Sequence, residues 1–142
     1  MDDRALLSDA IALGDKCPPS TTFRVGAVIV DADGAVLSTG YSGETDPHDH
    51  AEEAALAKLG FPQLPGATMY TSLEPCSSRA SRPRSCTALI LASGIPRVVF
   101  AWREPAVFVD CVGAETLTAA GVTVVELPEL APAVRATNAH LL

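Results

Sequence analysis

The apolar positions begin with a helical rhythm. Leu6, Leu7, Ala10 and Ile11 recur on one helix face after Asp2 and Asp3, both good capping residues, and Gly14 can end the segment. The period then shortens. Val25 to Val30 and Ala35 to Tyr41 are apolar, β-branched runs separated by Asp31-Ala32-Asp33-Gly34, and together they predict a hairpin. After the polar loop Ser42 to Asp49, the Ala, Leu and Glu residues of Ala51 to Leu59 predict a second helix that stops at Gly60. A Pro-containing connection, Phe61 to Gly66, follows. From there the pattern alternates: strand Thr68 to Leu73, helix around Cys86 to Ser93 ended by Gly94, and strand Val98 to Ala101. Helix Val112 to Ala120 ended by Gly121, strand Val122 to Glu126 and a short helix before Leu142 complete it. Strands alternating with helices predict an α/β layered domain whose later strands are parallel. Residues 1–142 contain no internal repeat, low-complexity tract or long linker, so they read as a single domain.

Composition narrows the class of partner. A chain of 142 residues that is 48% hydrophobic can build one sizeable core. Its formal net charge is -7, with seventeen acids against ten Lys and Arg. That balance repels a phosphodiester backbone, so a small soluble molecule is expected rather than nucleic acid. Met1-Asp2-Asp3-Arg4 lacks the basic start and apolar stretch of a secretory signal, and no apolar run reaches membrane-spanning length. The expectation is a cytoplasmic protein without a membrane partner. In a reducing compartment its four cysteines are metal ligands or core thiols rather than disulfides. Cys17 and Cys111 have no neighbours that demand chemistry and read as ordinary thiols.

His50-Ala51-Glu52, Glu74-Pro75-Cys76 and Cys86 carry the chemical signal. One His with two Cys is a three-ligand set suited to zinc, and a fourth position left to water is the mark of a catalytic site. Residues two apart on a helix point to nearly opposite sides, so His50 and Glu52 can share a target only beyond the helix end. The metal is therefore expected off the amino terminus of the second helix, with Cys76 opening the next helical segment. Helix amino termini favour the thiolates and a zinc-bound hydroxide. Glu52 is the expected proton carrier. Glu53 lacks this spacing and is expected at the surface, as is His48 in its loop. Glu74 precedes proline and is extended, free to bind substrate or to brace the site.

A His-x-Glu followed by Pro-Cys and a second Cys resembles the zinc-dependent nucleobase deaminases. Nine residues separate Cys76 from Cys86, and with Tyr70 to Ser77, Ser93 to Val99 and Ala119 to Val122 the chain is most similar to the pyrimidine deaminase domain of riboflavin biosynthesis. That resemblance implies a three-layer α/β/α cytidine deaminase-like fold with a mixed sheet of about five strands. It also implies hydrolytic deamination of an aminopyrimidine, in some relatives with a reductase domain following, and assembly as a homodimer or homotetramer. Zinc-bound hydroxide would attack the carbon bearing the amino group, while Glu52 cycles the proton. Substrate contacts are expected from Glu74, from Arg82 and Arg84 in a loop that also holds Arg79, and from Thr22 and Arg24, where the family carries Asn-Pro. Arginine forks suit a phosphate or another acid group. The phrase Phe23 to Ala27 is more similar to cytidine deaminases, so a cytidine-type or secondary-metabolite deaminase is the alternative. From a different class comes a non-catalytic module in which zinc staples the loop between the cysteines.

Overall fold

A computed structural model of the chain describes residues 2–18, 22–77, 79, 82–103, 105 and 111–142. Helix α1 (Asp3–Leu13) is capped by Asp2, whose side chain accepts from the Ala5 N–H, and ends at Gly14 as expected, with a 3-10 turn, Gly14–Lys16, following it. Strands β1 (Gly26–Val30) and β2 (Val36–Tyr41) form the expected hairpin. The Asp31 side chain closes it by accepting from the Asp33 and Ala35 N–H groups at 2.9 and 3.0 Å. Val25 stays outside β1 because its N–H donates to Ser42 Oγ. Then come α2 (Ala51–Lys58), β3 (Thr68–Leu73), α3 (Cys86–Ser93), β4 (Arg97–Trp102), α4 (Gly113–Ala119), β5 (Thr123–Glu126) and α5 (Ala131–Thr137). A last 3-10 turn spans Ala139–Leu141.

The sheet order is β2-β1-β3-β4-β5. β1 is antiparallel to both neighbours, whereas β3, β4 and β5 run parallel, as the alternating pattern predicts. Helices cover both faces, which explains why the inner strands β1, β3 and β4 are buried along almost their whole length. On one side Leu7, Ala10 and Ile11 of α1 and Val134 of α5 pack on Val28, Val30, Tyr70 and Val99. On the other, Leu56 of α2, Ile90 of α3 and Leu117 of α4 pack on Ile29, Met69 and Val98. Strand alternation does the sorting: neighbours Met69 and Tyr70 enter opposite layers. A third cluster, Phe23, Val25, Ala27, Ala51 and Leu73, fills the sheet end where α2 begins. This α/β/α layering aims the amino terminus of α2 at the carboxyl end of β3.

Candidate active site

His50 is the amino-terminal cap residue of α2, with extended backbone (φ -88°, ψ 156°), so its ring projects beyond the helix. Cys86 opens α3, one residue after Ser85, whose hydroxyl accepts from the Ala88 N–H. Cys76 departs from the sequence-based expectation. It lies in the non-helical stretch after β3 rather than opening a helix, and the next helix starts only at Cys86. Cys76 Sγ accepts from the Cys86 N–H at 3.2 Å, which ties it to the start of that helix.

The three expected ligands do come together. His50 Nδ1 lies 3.5 Å from Cys76 Sγ and 3.3 Å from Cys86 Sγ, and the three donor atoms all fall within 4.8 Å of one another. A tetrahedral zinc, with Zn–N near 2.0 Å and Zn–S near 2.3 Å, needs N···S separations of about 3.5 Å. The donor set fits the metal. Among the described residues no other group of three such side chains is assembled.

Protonation energetics follow the same geometry. The Cys76 thiol sits far below its ordinary range, first because Cys86 donates a hydrogen bond to its sulfur and then because His50 supports the thiolate. Cys86, the donating partner and fully buried, is pushed the other way. Burial opposes a charged His50, but its hydrogen bond to Cys76 and that neighbour's charge prevail and raise it. Glu52 is buried, at 4% exposure, and burial raises its pKa against the pull of His50. Its Oε1 accepts from Thr71 Oγ1 at 2.8 Å.

Thr71 escaped the sequence reading, although the signal existed. It is a polar residue on the Met69 face of β3, two positions along the strand, where an apolar side chain is expected. Glu53 was expected at the surface. Instead its Oε1 accepts from the His50 N–H and meets Arg79 Nη1, each at 3.3 Å. His48 is exposed, as expected.

The expected substrate residues divide. Glu74 is buried, and its Oε2 accepts from the Ala114 N–H at the start of α4 and lies 3.8 Å from Arg103. Arg82 faces Asp46, Asp49 and Glu53 at 3.3 to 3.5 Å. Arg84 is exposed and, among the described residues, forms no ion pair. Thr22 and Arg24 lie before β1, tied to the carboxyl-terminal turn: the Arg24 N–H donates to Asn138 Oδ1 at 2.6 Å, and the Thr22 carbonyl lies 2.9 Å from His140 Nε2. Cys17 is buried, its thiol donating to the Val25 carbonyl, and Cys111 donates to the Pro75 carbonyl at 3.3 Å.

Residues 1–102 match the model of the cytidine and deoxycytidylate deaminase zinc-binding region. The chain belongs to that family. Its relatives include the diaminohydroxyphosphoribosylamino-pyrimidine deaminase of Schizosaccharomyces pombe, 45% identical over 78% of this chain and 28% of that protein. The riboflavin biosynthesis protein RibD of Escherichia coli is 41% identical over 87% of this chain and 33% of its own length. The chain thus spans about a third of these relatives or less. Among solved structures, a diaminohydroxyphosphoribosylaminopyrimidine deaminase/5-amino-6-(5-phosphoribosylamino)uracil reductase of Thermotoga maritima superposes with a TM-score of 0.83 at 32% identity, over 95% of this chain and 38% of that one. The Rib2 deaminase of Aspergillus oryzae in complex with DARIPP has a TM-score of 0.73 and 29% identity, over 87% and 84% of the two chains. The fold of this family member is the cytidine deaminase-like one expected from the sequence. Among the described residues no helix is long and apolar enough to cross a membrane.

Proposed function

We propose that this chain is a zinc-dependent deaminase of a phosphorylated aminopyrimidine in riboflavin biosynthesis. The observation that carries the reading is His50, Cys76 and Cys86 at zinc-ligand separations beside the buried carboxyl of Glu52. Zinc held there would activate a water as the nucleophile near neutral pH. Glu52 takes one proton from that water and delivers it to the ring nitrogen next to the carbon under attack. It then takes the second from the hydroxyl now on that carbon and passes it to the amino group, which leaves as ammonia as the carbonyl forms. Its raised pKa suits a group that must both accept and return a proton. Thr71 holds the carboxyl in place.

Relatives named for a phosphoribosylaminopyrimidine support the substrate class. Arg84, exposed, and Arg82, shared among acids, are the contacts assigned to the phosphate, and Thr22 and Arg24 are assigned to the substrate as well. Phe23, Val25 and Ala27 pack against Ala51 and Leu73, so the likeness of that phrase to cytidine deaminases has a packing explanation and weighs little on substrate. A net charge of -7 favours a small molecule over nucleic acid. Homodimeric or homotetrameric assembly in the cytoplasm completes the proposal, and a reducing compartment suits four free thiols.

An ammonia-release screen on zinc-loaded protein tests it. Turnover should be highest on the phosphoribosylaminopyrimidine and weaker on its dephosphorylated form. Release from cytidine alone would establish the cytidine-type alternative. No release from any heterocycle by zinc-loaded protein would leave the non-catalytic zinc module.

A further inference from the structure

The metal-ligand group is assembled from two pieces of chain with no covalent reason to stay in register: the loop ending at His50, and the segment from Cys76 to Cys86. Glu53 joins them. One carboxylate oxygen, Oε1, accepts from the His50 N–H and lies 3.3 Å from Arg79 Nη1, while Oε2 lies 3.5 Å from Arg82 Nε. Arg79 extends the join, since its Nη2 donates to the His48 carbonyl at 2.6 Å. Its side chain is only 4% exposed and that of Glu53 15%, so this pair escapes the solvent screening that makes surface ion pairs weak. Arg79 therefore grips His48 of the loop and Glu53 of α2, on either side of His50, from within the cysteine segment.

We propose that Glu53 and Arg79 are a positioning pair, a clamp that holds the cysteine segment against the amino terminus of α2 and so sets the spacing of the zinc ligands. The inference rests on the reading that His50, Cys76 and Cys86 hold zinc. Neither residue touches the metal or the reacting atoms in this account. Partners that orient metal ligands from outside the ligand shell are worth roughly 10 to 100-fold in metal affinity. Glu53 has a second duty as the third residue of α2, where its carboxylate satisfies the His50 N–H, and a merely structural role would end there. Gln separates the two, because its amide oxygen can still accept at that position of a helix but carries no charge for Arg79.

The experiment measures zinc affinity by competition with a chromogenic chelator on wild type, Glu53→Gln, Arg79→Gln and the double variant, with the metal-free melting temperature of each. The clamp predicts that Glu53→Gln melts within a few degrees of wild type while holding zinc about 10-fold or more weakly. Arg79→Gln should weaken zinc binding in the same direction, and the double variant should lose less than the product of the single losses. A direct field from the two opposite charges would instead shift affinity in opposite directions for the two variants, and that outcome overturns the clamp. Wild-type affinity in Glu53→Gln overturns it too. If Glu53→Gln does not fold, the Arg79→Gln affinity decides alone. Wild-type protein that takes up no zinc would bring down the metal reading itself, and the clamp with it.

Discussion

Replacing Gly40 with Ala should damage the site from beneath. Gly40 lies in β2 where α2 crosses it, and a Cβ there would stand 2.3 Å from the Ala51 carbonyl oxygen, 2.6 Å from the Ala55 nitrogen and 3.1 Å from Ala54 Cβ. All three belong to α2, and two are backbone, which no rotamer change relieves. Ordinary contact distances of about 3.5 Å require the helix to retreat by about 1 Å. Overpacking on that scale destabilises by about 1 to 3 kcal/mol, a large fraction of the roughly 5 to 15 kcal/mol that holds a domain together. The retreating carbonyl lies between His50 and Glu52, so zinc affinity should fall with stability. Gly60→Ala is the control: its φ of +78° strains an alanine, yet a Cβ there meets nothing within 4 Å. Urea denaturation and chelator competition on the two variants should show both losing stability but only Gly40→Ala losing zinc affinity. A Gly40→Ala protein within about 0.5 kcal/mol of wild type and with undiminished zinc affinity would refute the close-packing argument.

The remaining predictions probe charge. Asp3 is held at a pKa of about 2, below its usual 3.8, first by hydrogen bonds from the Arg97 guanidinium at 2.9 and 2.6 Å. A depressed carboxylate stabilises the fold above its unfolded pKa, and the contribution disappears as pH falls from about 4 towards 2. With the pair 28 and 29% exposed, solvent reduces the nominal figure to about 1 kcal/mol. Asp3→Asn should therefore lower stability by about that amount at pH 7 and converge on wild type only as pH falls below about 2; equal pH dependence of the two proteins would contradict the assignment. Replacing Arg82 and Arg84 together with Ala should raise KM for the phosphorylated substrate several-fold and weaken its salt dependence. Unchanged KM would return the loop to a merely structural role.

Much of this was written locally. Alternating strands and helices announced the parallel half of the sheet, and the two-residue offset of His50 and Glu52 announced a ligand group beyond a helix end. Cys76 was misplaced because a residue just after a proline suits a helix start equally well, and only the fold shows that the next helix waits until Cys86. The Glu53–Arg79 pair was illegible for a different reason: it joins residues 26 apart, and only the folded course of the loop makes them neighbours. Arg82 shows the same limit. Sequence marked it as a cation in the loop between the cysteines, and only the fold reveals its acidic neighbours Asp46, Asp49 and Glu53. Glu74 was legible as extended, but its partner at the start of α4 lies 40 residues away.

The central claim, that Glu52 moves the proton beside a zinc held by His50, Cys76 and Cys86, is tested most directly by ammonia release from zinc-loaded Glu52→Gln. Gln is nearly isosteric and can still meet the Thr71 hydroxyl, so fold and metal content should remain at about one zinc per chain. Turnover should fall by about 100-fold or more, the usual contribution of a positioned acid-base group. Wild-type turnover by a fully zinc-loaded Glu52→Gln protein would contradict the account.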